Sequence, residues 1–292
     1  MDIGQHLLRW AARKTEAPAF LFASREAKIE EQITFGALAA RATALATRLQ
    51  TLGGRGQRAA LIYSPSVDFM VGMLGCMLAG VIAVPMPPPR RLASRDSADA
   101  IVENCSPRFM ITTKALASRS GASLTSRPQW QSCRWLTIDD DAEDTGIAAD
   151  FIPSPSEIAF LQYTSGSTST PKGVMVSHSN LLSNLSMMQK SFGTASNSTF
   201  ACWLPLFHDM GLVGNALHAL FVGASCILMA PLSFMQRPLS WLKLISDHRV
   251  DFAGGGRISA MTTASITCRD GQLRELTCHP GEWPIMAQSP SG

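Results

Sequence analysis

The chain has 292 residues, 46% hydrophobic and 16% charged, which suits one large or two ordinary domains with a substantial core. Its formal net charge of +3 is too small to argue for nucleic acid or an anionic membrane as a partner. The seven cysteines, Cys76, Cys105, Cys133, Cys202, Cys226, Cys268 and Cys278, are odd in number, form no Cys-x-x-Cys and follow no leader peptide. They predict reduced thiols in a cytoplasmic protein, with neither a disulfide framework nor a metal site.

In chain order, residues 36–51 (GALAARATALATRLQT) read as an Ala-rich amphipathic helix stopped by Gly53 and Gly54. Residues 59–63 read as a strand. Residues 69–86 (FMVGMLGCMLAGVIAVPM) carry no charge over 18 residues, the lower limit for a membrane span. Three glycines and Pro85 interrupt them. The expected reading is a buried helix over 64–80, capped by Ser64 or Ser66 with Pro65 in its first turn and ended by Gly80, then a strand at 81–84. Strands are predicted at 109–113 and 135–138. The acidic, then Pro/Ser-rich stretch 139–157 is the best linker. It divides a first α/β subdomain, 1–150, from a second, 151–255.

Beyond it, strands are predicted at 159–164 and 174–177, and a helix capped by Ser179 to about residue 190. A strand at 201–204, a helix at 210–222, a strand at 226–229, a helix from Pro238 to His248 and a strand at 250–253 follow. Strands alternating with helices predict an α/β fold of doubly wound, parallel βαβ layers.

The loop between the strands at 159–164 and 174–177 is unusual in its chemistry. Thr164, Ser165, Ser167, Thr168, Ser169 and Thr170 supply hydroxyls, Gly166 and Gly173 permit turns and close backbone approach, and Lys172 adds one cation. Such a set suits a polyphosphate. It is not a Walker A loop, because Pro171 precedes the lysine, Gly173 follows it, and the chain continues into a strand. A flexible Ser/Thr linker is the alternative, and the two flanking apolar strands argue against it. Further on, Asp209 is the candidate N-cap of the 210–222 helix, and spacing alone makes His208 a surface residue of the turn. Met210, Leu212, Val213, Leu217 and Phe221 read as core rather than as the lining of a binding tunnel. His178 is taken as a strand end.

The string YTSGSTSTPKGVMVSH (163–178) resembles the phosphate-binding signature of adenylate-forming enzymes: acyl-CoA synthetases, peptide-synthetase adenylation domains and luciferases. WLPLFHDMGLVG (203–214), DFMVGMLGCMLAGVIAVPMPPPRR (68–91) and PLSFMQRPLSWLKLISDHRVDFAGG (231–255) are similar to fatty acyl-AMP ligases in particular. The likeness covers nearly all of residues 30–255. It implies ATP- and Mg2+-dependent activation of a fatty acid to an acyl-adenylate. The acyl group would pass to an acyl carrier protein or a downstream polyketide or peptide synthetase module, in lipid, polyketide or lipopeptide biosynthesis. Carried over by motif, Thr164, Ser165, Gly166, Ser167, Thr168, Ser169, Thr170, Lys172 and Gly173 would hold the phosphates. Lys172 would offset charge on the leaving pyrophosphate, and His208 would orient the substrate carboxylate. Ser169 stands where the signature has Gly, at a cost of about 1 kcal/mol if that position needs φ > 0. An acyl-CoA synthetase and a non-catalytic nucleotide-binding remnant are the alternative readings.

After residue 255 the βα rhythm stops. Read one base out of phase, the codons of 256–268 can spell PNFxYDxC and those of 276–292 DLSSWRMAYNGAEPIR, stretches the resemblance leads one to expect. Two of these shifted codons leave no choice: Trp283 with Pro284 gives Ala, and Met286 with Ala287 gives Gly. The expectation is a poorly structured, out-of-frame tail over 256–292. The family's adenine- and ribose-binding stretch and its small C-terminal domain would then be lacking, so the resemblance implies little or no activity for residues 1–292.

Overall fold

The computed structural model describes residues 2–89, 97–125, 127–139, 152–164 and 171–254, with backbone alone over 120–125. The proposed linker lies mostly outside these residues, and the tail wholly so. The described residues up to Gly254 make one compact unit.

The chain opens with three elements the sequence pattern did not predict: α1 (Ile3–Arg13), β1 (Pro18–Ala23) and β2 (Ile29–Thr34). A capping box starts α1, in which the Asp2 carboxylate accepts the Gln5 N–H at 3.1 Å and Gln5 Oε1 accepts that of Asp2 at 2.9 Å. Helix α2 (Phe35–Thr51) is capped by Thr34 and stops at Gly53, whose φ of +66 only glycine adopts at no cost. β3 (Arg58–Leu61), α3 (Asp68–Ala79) and β4 (Ile82–Pro85) follow.

The uncharged stretch thus resolves into a buried helix and a strand. Among the described residues no helix is long and apolar enough to cross a membrane. The expected serine cap is not used, since α3 begins at Asp68 after Val67 and has no side-chain cap. Asp68 instead lies in the first turn, where the helix dipole favours it, with Arg41 Nη2 at 2.7 Å from its carboxylate. Gly75 lets α2 approach: a Cβ there would lie 2.7 Å from Leu45 Cδ2.

Next come α4 (Ser97–Cys105), β5 (Phe109–Thr112), α5 (Lys114–Thr125) and β6 (Arg134–Thr137). β7 (Ile158–Thr164) and β8 (Lys172–Ser177) form a hairpin, followed by α6 (His178–Phe192). The cap of α6 is Ser177 rather than Ser179, paired with Asn180 in a second capping box, so His178 is the buried first residue of a helix. β9 (Thr199–Cys202) leads to a continuous helical stretch: α7 (Asp209–Gly211), a π-helical turn over Leu212–Leu217, and α8 (His218–Val222). β10 (Ser225–Met229), α9 (Pro231–Gln236), α10 (Pro238–Asp247) and β11 (Phe252–Gly254) complete the described chain.

The strands make two sheets, ordered β6-β5-β3-β4-β7-β8 and β11-β9-β10-β1-β2. Pairing is parallel except at one edge of each, where β7 with β8 and β1 with β2 are antiparallel hairpins. The chain leaves the second sheet after β2, builds the whole first sheet, and returns at β9. Phe20 of β1 consequently pairs with Cys226 of β10.

Alternation along the strands separates three cores. Ala59 and Leu61 of β3 and Cys226 and Leu228 of β10 face a central core with residues of α1, α2, α3 and α6. Ala60 and Ile62 turn outward to Ile101 of α4 and to Trp130. Ile227 and Met229 turn outward to Phe234 of α9 and Trp241 of α10. Both faces of the inner strands are therefore covered, which explains why they read as apolar runs. Cys76, Cys105, Cys133, Cys202 and Cys226 are free and buried, and burial pushes the Cys202 thiol up to about 12.

One buried histidine makes the fold acid-sensitive. His218 is fully buried, hydrogen-bonded to Thr194 Oγ1 at 2.9 Å and ringed by Phe192, Phe200 and Phe252. Burial lowers its pKa from 6.5 to about 4. The folded chain refuses a proton that the unfolded chain accepts, so stability is full above 6.5 and falls between there and about 4, by roughly 3 kcal/mol. Urea unfolding at pH 7 and pH 5 should show the loss, and His218→Gln should reduce it, leaving the share of His6 and His178, whose pKa values burial also lowers.

Candidate functional site

The β7–β8 hairpin is the first half of the site. Its register sets Tyr163 opposite Gly173 and Thr164 opposite Lys172. Thr164 and Lys172, both exposed, are the last cross-strand pair before the loop. Ser165, Gly166, Ser167, Thr168, Ser169 and Thr170 lie outside the described residues. Lys172 and Gly173 belong to the strand, two residues earlier than the sequence pattern predicts. Gly173 does not serve a turn. A Cβ there would lie 2.8 Å from Tyr163 Cζ, so glycine makes room for the tyrosine ring, whose hydroxyl donates to Asn104 Oδ1 at 2.5 Å. That bond ties the hairpin to α4. Among the described residues Lys172 makes no ion pair or side-chain hydrogen bond, which leaves its ammonium for an anion.

The second half is the turn 203–208 between β9 and α7. Its shape depends on Gly211, where a Cβ would stand 2.4 Å from the Pro205 carbonyl oxygen. Trp203 stacks on Phe234 with centroids 4.1 Å apart and so joins the turn to α9. His208 occupies the N-cap position and Asp209 is the first helical residue. His208 Nδ1 lies 2.6 Å from Asp209 Oδ1. The Met210 N–H is 2.7 Å from that same oxygen and 3.4 Å from Nδ1. A nitrogen that donates to a carboxylate cannot also accept, so Asp209 satisfies the Met210 N–H and Nδ1 carries a proton. Nε2 is then the nitrogen left for another partner, a donor when the ring is charged.

The hydrogen bond that His208 donates to Asp209 raises the His208 pKa above 6.5, and the same bond lowers that of Asp209. The imidazolium persists below the raised value and is lost as pH rises through it. Asp209→Asn should bring the ring's titration, followed by NMR, back toward 6.5; an unchanged titration would contradict the pairing.

Against the turn lies an apolar cavity of about 120 Å3. Tyr63 and Met86, beyond the ends of β3 and β4, contribute to it together with Cys202 of β9, Leu228 of β10, and Leu206 and Phe207 of the turn. These are the C-terminal ends of parallel strands, where α/β sheets bind their ligands. Leu212 and Leu217 are fully buried, as expected of core. The sequence pattern missed Gln162, which donates from Nε2 to the Phe207 carbonyl at 2.8 Å. Its one signal is a long polar side chain inside the apolar run FLQYT.

The family model of the AMP-binding enzymes matches residues 7–256. The chain belongs to the AMP-binding enzyme family. Among curated members it is 33% identical over 246 residues to the medium-chain-fatty-acid–acyl-carrier-protein ligase JamA of Moorena producens, covering 81% of this chain and 41% of JamA. It is 30% identical to the long-chain-fatty-acid–AMP ligase FadD23 of Mycobacterium tuberculosis, covering 86% of this chain and 45% of that one. Among solved structures, the fatty acyl-adenylate ligase of L. pneumophila in complex with acyl adenylate and pyrophosphate superposes with a TM-score of 0.76 at 34% identity, over 86% of this chain and 44% of the ligase. This member of the AMP-binding enzyme family therefore spans less than half the length of each of these relatives.

Proposed function

We propose that this chain carries the phosphate-binding and acyl-binding half of a ligase that activates a fatty acid with ATP to an acyl-adenylate and passes the acyl group to an acyl carrier protein. One observation carries the reading: the hairpin that presents Thr164 and Lys172 is tied through Gln162 to the turn that lines an apolar cavity and bears His208. A triphosphate needs the first of these and an alkyl carboxylate the second.

In the proposed reaction a carboxylate oxygen bonds to the α-phosphorus while the bond from that phosphorus to the bridging oxygen breaks, and pyrophosphate leaves with the electron pair. The work of the protein is positioning and charge stabilisation. Lys172 offsets charge gathering on the leaving pyrophosphate, and Thr164, Ser165 and Thr168 donate hydroxyls to it. Mg2+ bound with the nucleotide would screen the phosphate oxygens. His208 offers Nε2 to the carboxylate, and the cavity takes the start of the alkyl chain away from water. Buried free thiols suit a cytoplasmic setting.

Two measurements test this. Calorimetry of residues 1–292 with Mg·ATP should show saturable binding, and fatty acid-dependent exchange of pyrophosphate into ATP reports adenylation. Mass spectrometry of carrier protein and coenzyme A then names the acceptor. A chain that binds no Mg·ATP would overturn the reading.

A further inference from the structure

The two halves of the site lie on different sheets, and one buried side chain joins them. Gln162, on β7, is 6% exposed. Strand alternation turns Leu161 and Tyr163 to the α4 side, while Phe160 and Gln162 share the face toward the central core. The Gln162 amide nitrogen donates to the carbonyls of Phe207 at 2.8 Å and Tyr163 at 3.3 Å. Two carbonyl acceptors fix which end of the amide is nitrogen. Among the described residues no other hydrogen bond links the hairpin to the turn 203–208. The amide oxygen, meanwhile, is buried with no partner among the described residues. An unpaired buried acceptor costs about 1–3 kcal/mol, whereas an apolar side chain of similar size would cost nothing of the kind. Packing alone therefore does not account for a glutamine here.

We propose that Gln162 is a positioning residue. By holding the Phe207 carbonyl to β7, it sets the separation of His208 from the Thr164–Lys172 pair, and so makes the binding of each reactant depend on the other. The proposal rests on the function given above. Leucine keeps the bulk of Gln162 and removes the donor. Glutamate keeps the reach and sets a carboxylate against two carbonyls.

The test uses the whole chain, wild type, Gln162→Leu and Gln162→Glu. Decanoate and the magnesium complex of α,β-methylene-ATP are titrated separately, then each in the presence of the other. In the wild type each ligand should tighten the other at least about fivefold, the lower end of usual site-to-site coupling. In both variants the single affinities should stay within about threefold while the tightening disappears. Tightening that survives in Gln162→Leu overturns the proposal. So does a parallel fall of both single affinities with the unfolding midpoint, which marks a merely structural tie. If the wild type binds neither ligand, the proposed function fails, and hydrogen exchange decides about Gln162. Faster exchange in Gln162→Leu confined to amides 206–210, with 199–202 unchanged, supports the tie; no difference refutes it.

Discussion

Lys172→Ala is expected to weaken the binding of Mg·ATP by roughly 10- to 100-fold while leaving the unfolding midpoint where it was. A charge-assisted hydrogen bond from an ammonium to a phosphate contributes about 1.5–3 kcal/mol, and each 1.4 kcal/mol is a factor of ten. The stability half of the expectation follows from exposure: Lys172 lies at the open end of the hairpin and has no ion pair among the described residues. Arginine at this position should restore only part of the affinity, because a planar fork does not reproduce a compact point charge. Calorimetry with Mg·ATP and a urea titration on the same samples decide the matter. Unchanged affinity would mean that the hydroxyl-rich loop does not receive a triphosphate.

Gly211→Ala should destabilise the chain by about 2 kcal/mol and displace the turn that carries His208. Two effects oppose each other. In a helical segment alanine is favoured over glycine by up to about 1 kcal/mol. Against this, the new methyl would meet the Pro205 carbonyl oxygen at 2.4 Å and the Leu204 carbonyl oxygen at 3.0 Å. Both are backbone atoms that cannot swing aside as a side-chain tip can. Overpacking of this kind costs about 1–3 kcal/mol or more, so the clash wins. Gly214→Ala, in the π-helical turn just beyond, is the matched control. Its nearest neighbour would be Met210 Cγ at 3.8 Å, an ordinary contact, so it should be neutral or slightly stabilising. Urea unfolding of the two variants, with the His208 ring resonance as a local reporter, separates a displaced turn from a general loss of stability.

The sequence spoke most clearly where local chemistry and periodicity coincided. The α2 helix had its Ala-rich face and its Gly53 stop, and α10 had Pro238 in its first turn. The resemblance to adenylate-forming enzymes rested on contiguous strings, so it survived errors in element boundaries. The caps were less legible. Ser177 and Ser179 are equivalent by composition, and only the reciprocal bonds with Asn180 choose between them. Residues 18–34 yielded no prediction because β1 is buried on both faces and alternates poorly, and because its parallel partner lies some two hundred residues away. Gln162 and Gly211 were illegible for a related reason. Each matters through a backbone carbonyl of the turn after β9, and a carbonyl leaves no trace in the amino-acid string.

The excursion of the chain between β2 and β9 has a consequence for how the protein is made. At about 5–20 residues per second, the ribosome needs roughly 10–40 s to bring Cys226 into being after Phe20. Throughout that interval β1 and β2 can form no more than a hairpin, marginal by itself in water, while the whole first sheet is synthesised beside it. The apolar strand FLFA waits with one edge open for β10. A holding chaperone would find its target there, and would have to let go only once β10 emerged.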